Sequence, residues 1–328
     1  MKVGVVGVSH WHARMHLDAF KDAGAVIVGV CDENQSVAAG FAAEYGCSAY
    51  ERADELVNRA KPDFIMAMAT HREMPLIANE LVKMGIPFGV EKPIGRNAGE
   101  AARIVEEVDK RGVFATVPLV NRYSRIWEIL GELDRQGRLG PVSHAHFRIV
   151  NGIPARYREA GVGWMLDPEI SGGGSMRNLG IHAADAVVSL AGGGDCRVNC
   201  AALHSRIHRE PVEEAGSALV TFGGAFATIE AGYSYPTRDA GGDFEWRIVT
   251  GNAYIVDDGP SVTVRTLDDD TLRAEQNITQ SQRYNAFAKD TLERIRKGIG
   301  PRITIRDCWR AMKLIDDVYA AAGSVNDA

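Results

Sequence analysis

Cysteine is scarce in this chain, and what there is does not pair up. The 328 residues hold five (Cys31, Cys47, Cys196, Cys200 and Cys308). An odd number at scattered positions argues against a disulfide framework and points to a reducing compartment. Long apolar runs are missing as well: no segment approaches the ~20 residues of a membrane span. The apolar stretch over residues 3–8 is too short for the core of a secretory signal, and His10-Trp11-His12 follows it where a small-residue cleavage site would stand. Positive charge is in deficit, with a formal net charge of −6, so no broad field attracts phosphate polymers. These absences predict a cytoplasmic protein with neither nucleic acid nor membrane as partner. What remains is an ordinary globular composition, 45% hydrophobic and 24% charged. The length exceeds what one core usually serves, so two domains are expected.

Along the chain the texture changes once. Up to about residue 120, apolar runs that read as buried strands (2–8, 25–31, 63–69, 87–90 and 113–117) alternate with helical patterns near 11–22, 37–45, 53–59, 74–84 and 98–111. Strict alternation implies right-handed crossovers and a parallel sheet covered on both faces. Beyond residue 121 the strands lengthen and alternate polar with apolar, as in Val142-Ser143-His144-Ala145-His146-Phe147-Arg148-Ile149, the pattern of an antiparallel sheet with one covered face. Gly223-Gly224 between two such runs predicts a tight hairpin. Two amphipathic helices over 281–322 close the chain, parted by Gly298-Ile299-Gly300-Pro301. The expected fold is therefore an α/β Rossmann domain over 1–120 and an α+β domain over 121–328 built on a large, mostly antiparallel, open-faced sheet. The open face, around residues 218–235, predicts a homodimer or homotetramer formed through it.

A dinucleotide needs a helix N-terminus aimed at its pyrophosphate and a tight turn before it. Gly7-Val8-Ser9-His10-Trp11-His12 occupies that place, between a strand and a helical pattern. Of the G-x-G-x-x-G glycines only the first is kept, with Ser9 at the second position and His12 at the third. The second strand ends at Asp32, 25 positions beyond Gly7. A carboxylate there accepts hydrogen bonds from the adenosine ribose and repels a 2′-phosphate. No arginine lies between Arg14 and Arg52, and only Lys21 could fold back, so NAD is favoured over NADP. Taken singly, Gly7 and Asp32 fit a structural turn and a solvated loop carboxylate equally well.

Val90-Glu91-Lys92-Pro93, ending a strand, and the later Gly172-Gly173-Gly174-Ser175-Met176-Arg177-Asn178-Leu179-Gly180-Ile181-His182-Ala183-Ala184-Asp185 carry a resemblance. Together with Trp164 they resemble the E-K-P and G-G-G-x-L-x-D-x-G-x-H-x-x-D strings of the glucose-fructose oxidoreductase / inositol dehydrogenase (Gfo/Idh/MocA) family. The resemblance implies an NAD(P)-dependent oxidoreductase acting on a secondary hydroxyl of a sugar, inositol or related polyol. Within it Lys92 lies beside the nicotinamide and the substrate oxygen, and His182 is the acid/base. A neutral imidazole suits removal of a carbinol proton, and an ammonium suits the developing alkoxide. The family also implies a cis bond at Lys92-Pro93. Glu91, Ser9, His10, Trp11, Thr70, His71 and Asn121 are the further cofactor contacts expected. Arg122, Trp164, Arg177 and Asp185 are the expected substrate residues, with Arg122 equally readable as an interdomain salt bridge and Trp164 as core.

The departures from the family pattern matter as well. Asn178 stands where the family has aspartate, one turn before His182 if the segment is helical. An amide orients a partner but neither carries a proton away nor stabilises imidazolium by charge, so Asp185 or a substrate carboxylate would take over, or the chemistry is altered. His71 and Met74 replace the asparagine and histidine of the family's T-P-N-x-x-H stretch. The altered chemistry would be a bound, recycled NAD serving glycoside cleavage or epimerisation; a non-catalytic regulator is the remaining alternative. His12 and His16 have the i, i+4 spacing of a metal pair, but they read more simply as packed or solvent-facing, and no metal is expected. Cys196, Cys200, His204 and His208 recur every fourth residue. They fall in a strand pattern, where each step spans roughly 13 Å and one zinc ion cannot bridge them.

Overall fold

A computed structural model describes residues 1–239, 241–268 and 272–323. The chain forms two compact units: of the described residues, those within 1–120, 160–162 and 280–309 make the first, and those within 121–159, 163–279 and 310–328 the second.

In the first unit β1 (Lys2–Val6), α1 (Ala13–Asp22), β2 (Val26–Cys31), α2 (Gln35–Tyr45), β3 (Ser48–Tyr50), α3 (Ala53–Ala60), β4 (Phe64–Ala67), α4 (Met74–Met84), β5 (Phe88–Val90), α5 (Ala98–Arg111) and β6 (Ala115–Thr116) follow one another. The strands lie in the order β3-β2-β1-β4-β5-β6, all parallel. Strand order reverses between β1 and β4, and at such a switch point ligands bind outside the carboxyl ends of the strands. Val3, Val5, Phe64, Ile65, Met66 and Phe88 have no exposed surface, which is why these strands read as unbroken apolar runs. The sequence reading missed β3, whose only buried residue is Tyr50.

The second unit begins with α6 (Arg125–Arg135), β7 (Val142–Gly152), α7 (Ala155–Glu159), α8 (Pro168–Ser171), a π-helical turn (Met176–Gly180) and α9 (Ile181–Leu190). The strands β8 (Cys196–His204), β9 (Ala215–Phe222), β10 (Ala225–Tyr235), β11 (Gly242–Thr250), β12 (Ala253–Asp257), β13 (Ser261–Thr266) and β14 (Arg273–Gln276) follow. The eight strands form one sheet, β14-β13-β12-β11-β7-β10-β9-β8, antiparallel except for the β7–β10 pair. Phe222 faces Ala225 across the Gly223-Gly224 turn, the hairpin the two glycines predict. Phe147, Trp246, Ile229 and Ile248 line the covered face, where Trp246 meets Phe147 edge-on at 5.2 Å between ring centres. The π turn and α9 pack on this face, against β7 and β10.

Two helices close the chain, α10 (Gln280–Lys297) and α11 (Ile305–Ala322). The sequence reading grouped both with the second domain, whereas α10 packs on α1 within the first unit, Phe287 against Phe20 and Tyr284 against His16. All five cysteines are free thiols. Among the described residues no helix is long and apolar enough to cross a membrane, and no group of three or more His, Cys, Asp or Glu side chains is arranged to hold a metal.

Candidate active site

Gly7 follows β1, its N–H donating to the Cys31 carbonyl at 2.8 Å, which ties the first turn to the tip of β2. Its φ is +81°, and a Cβ would stand 1.8 Å from the Met68 carbonyl oxygen. Only glycine fits there. The turn delivers Ser9 to Asp32: the Asp32 carboxylate accepts the Ser9 N–H and the Ser9 hydroxyl, each at 2.7 Å, and the Asn34 N–H at 2.9 Å. A carboxylate offers about four acceptor positions, so Asp32, 8% exposed, keeps capacity for a further donor. Helix α1 begins without a side-chain cap and without an acidic residue in its first turn, whereas α2 and α5 are capped by Asn34 and Asn97. An uncapped N-terminus is suited to an anion. The cations nearest in sequence are engaged elsewhere, Arg14 with Glu44 and Lys21 over the Tyr45 ring. These residues fit the adenosine and pyrophosphate of NAD.

Trp11 stacks on His12, and His10 accepts the His12 N–H on Nδ1 at 3.2 Å. Burial, then His12, holds His10 well below the usual histidine range. Thr70 and His71 follow β4; the Thr70 hydroxyl donates to Glu73 and His71 is buried.

Glu91 and Lys92 follow β5, both buried, and the Lys92-Pro93 bond is cis. His16 Nε2 and His12 Nδ1 both reach Glu91 Oε1, at 2.8 and 3.2 Å, while Glu91 Oε2 accepts the Lys92 N–H at 3.0 Å. Burial would raise the Glu91 carboxyl, but His12 and His16 outweigh it and keep the group well below the ordinary range. Burial lowers Lys92, against the pull of Glu91 and Cys308. His12 and His16 pack as one of their two expected placements had it, and their i, i+4 spacing brings both onto one carboxylate.

The remaining expected residues belong to the second unit. Asn121 and Arg122 lie in a short 3₁₀ turn, both partly buried. Arg122 clamps Asp185 bidentately, Nη2 to Oδ1 at 2.6 Å and Nε to Oδ2 at 2.8 Å, so the ion pair lies inside this unit and the Asp185 charge is already compensated. Arg177 pairs with Asp316 at 2.6 Å and lies over the Tyr319 ring. Trp164 sits half-buried in the 3₁₀ turn Gly163–Leu166.

The triple glycine has a local reason. A Cβ on Gly173 would stand 2.0 Å from the Tyr319 hydroxyl oxygen, and one on Gly174 2.1 Å from the Glu213 carbonyl. That close approach lets the buried Glu213 carboxylate accept the N–H groups of Gly174 and Met176 and the Tyr319 hydroxyl, at 2.8, 2.9 and 2.7 Å. The turn it starts is π-helical, where the spacing had suggested α; such turns are rare and frequent at functional sites. Asn178, 3% exposed, sits in it and donates Nδ2 to the Tyr233 and Tyr157 hydroxyls at 3.1 and 3.4 Å. Burial pushes the Tyr157 hydroxyl up to about 12 and holds that of Tyr233 well above its ordinary range, so both phenols stay neutral. Neither tyrosine was singled out from the sequence. His182 follows on α9, partly buried.

Residues 1–119 match the family model described as oxidoreductase family, NAD-binding Rossmann fold, and residues 128–256 match the GFO/IDH/MocA C-terminal domain. D-glucoside 3-dehydrogenase of Escherichia coli (strain K12) is 25% identical over 199 residues, 58% of this chain and 54% of that protein. Glucose-6-phosphate 3-dehydrogenase of Bacillus subtilis (strain 168) is 29% identical over 192 residues, 57% of this chain and 52% of that protein. The chain thus spans about half the length of the curated relatives it matches. A solved levoglucosan dehydrogenase, in complex with NADH and levoglucosan, superposes with a TM-score of 0.88 at 15% identity, covering 98% of this chain and 97% of that one. At that identity the likeness shows the fold.

Proposed function

The chain belongs to the Gfo/Idh/MocA oxidoreductase family, and on that premise we propose that it is an NAD-dependent dehydrogenase that oxidises a secondary ring hydroxyl of a sugar or glycoside. The observation that carries the reading is the pair of groups at the carboxyl edge of one parallel sheet: the Ser9-bound Asp32 carboxylate after β2 and the buried Lys92 after β5. NAD, when bound, supplies the hydride acceptor. Asp32 would receive the ribose hydroxyls and, by its charge, disfavour a 2′-phosphate; the uncapped start of α1 would hold the pyrophosphate. The Lys92 ammonium donates to the substrate oxygen and stabilises it as its proton leaves. His182 takes that proton. Asn178, held by two neutral tyrosines, orients by hydrogen bonding and adds no charge, so the proton on His182 has no buried aspartate at that position to stabilise it. Two relatives are named as 3-dehydrogenases, of a glucoside and of glucose 6-phosphate, which favours a pyranose oxidised at its 3-hydroxyl.

A panel of alkyl glucosides, glucose 6-phosphate, levoglucosan and inositols, each with NAD and with NADP, tests this by the absorbance of reduced nicotinamide. At least one pyranose should give NADH, and His182→Ala should lower kcat by about a hundredfold, the usual scale of acid/base assistance. Tight NAD binding with no reduction by any member overturns the reading. Turnover of a glycoside without net NADH would favour recycled cofactor.

A further inference from the structure

Two imidazoles from one helix converge on one oxygen of one buried carboxylate. His12 and His16 stand a turn apart at the start of α1, and both reach Glu91 Oε1, from Nδ1 at 3.2 Å and from Nε2 at 2.8 Å. Glu91 spends its other oxygen on the main-chain N–H of Lys92 at 3.0 Å, and its own N–H donates to Ala67 at the end of β4. The Glu91 side chain is 2% exposed and that of His16 is fully buried. Tyr284 of α10 closes the cluster, its ring 5.0 Å from His16 and 6.2 Å from His12, both edge-on. A buried carboxylate persists as an anion only when hydrogen-bonded; here the His16 ring and the Lys92 main-chain N–H supply those bonds, and His12 Nδ1 stands at ion-pair distance from the same oxygen.

We propose that His12 and His16 are positioning residues for Lys92: by fastening the Glu91 carboxylate they hold the Lys92 main chain and keep a negative charge beside its side chain. This rests on the reading of Lys92 as the group at the substrate oxygen. The groups facing Lys92 are Glu91, Cys308 of α11, His10 and His12; those facing Glu91 are His10, His12, His16, Lys92 and Tyr284. Among them only the Glu91 carboxylate is a fixed anion. When its donors are removed it takes up a proton more readily or swings away. The Lys92 ammonium, which burial already disfavours, then loses its proton at lower pH. Activity that needs the ammonium is lost as pH rises through that value, so the alkaline limb of kcat/KM moves to lower pH.

The test is a ¹³C NMR titration of Lys92 Cε in lysine-labelled protein, with the resonance assigned by its loss in Lys92→Met. It is run on wild type, His16→Leu, His16→Gln, His12→Leu and His12→Asn. Glutamine places an N–H where Nε2 stands, and asparagine where Nδ1 stands. The midpoint should fall by about one pH unit, a modest shift for loss of a neighbouring charge, in either leucine variant. It should return towards wild type in the glutamine and asparagine variants, with kcat following it and, in the His16 variants, the Kd for NAD within about twofold. A folded leucine variant at either position with an unmoved midpoint overturns the proposal, and so does a polar variant that rescues nothing. Should His16→Leu not fold, the partly exposed His12 pair decides. Wild-type turnover in Lys92→Met would instead remove the catalytic reading of Lys92 and leave the titration to judge the positioning.

Discussion

Asp32 is the side chain at which local folding meets the proposed cofactor choice. Its carboxylate fixes the degraded glycine turn through Ser9, doing with a side chain what a second glycine would leave to backbone approach. Asp32→Ala should raise the Kd for NAD by about tenfold or more, because a hydrogen bond to a charged group contributes ~1.5–3 kcal/mol. It should also narrow the preference over NADP. Fluorescence titration with both cofactors reads this, and an unchanged preference would remove Asp32 from the cofactor site. This residue was legible in the sequence because strand, turn, helix and strand are local, and the second strand's end is fixed by its own apolar run. The His12–Glu91–His16 cluster was not, since Glu91 comes 75 residues after His16 and only the closed sheet brings β5 beside α1. Tyr157 and Tyr233 were illegible for the same reason: each reaches Asn178 from a different element, over 21 and 55 residues.

At the scale of elements the π turn Met176–Gly180 is where the spacing of the sequence misleads. Apolar and polar residues there fit an α-helix, whereas the turn is π-helical and opens where Glu213 accepts the N–H groups of Gly174 and Met176. Burial pushes the Glu213 carboxyl up, against the hydrogen bonds from Tyr319, Gly174 and Met176. Glu213→Ala would leave those donors buried without their acceptor, at ~1–3 kcal/mol for each such group. Urea denaturation should show a loss of about 3 kcal/mol or more, with a smaller loss for Glu213→Gln; a loss under about 1 kcal/mol would mean the turn stands without its cap. The parallel strands were legible because both faces are buried and the side chains are apolar throughout. The edge strand β3 was not, with two of its three residues exposed.

For the whole molecule, the change of texture near residue 120 was legible, since a shift from buried runs to alternation marks the second sheet. The placing of α10 was not, because nothing in an amphipathic stripe names the helix it will meet. The open sheet face carries Phe226, 44% exposed and stacked on His144, and Tyr254, also 44% exposed, amid paired charges such as Arg148 with Asp243. We expect copies of the chain to associate through it. Light scattering after size exclusion should give a dimer or tetramer that Phe226→Asp dissociates, and a monomeric wild type at micromolar concentration would refute the interface. Hydride transfer itself is read with a glucoside deuterated at C3, incubated with the protein and NAD. Reduced cofactor heavier by one deuterium is expected, seen by mass spectrometry. Reduced cofactor without the label, or glucoside consumed with no reduced cofactor at all, would contradict it.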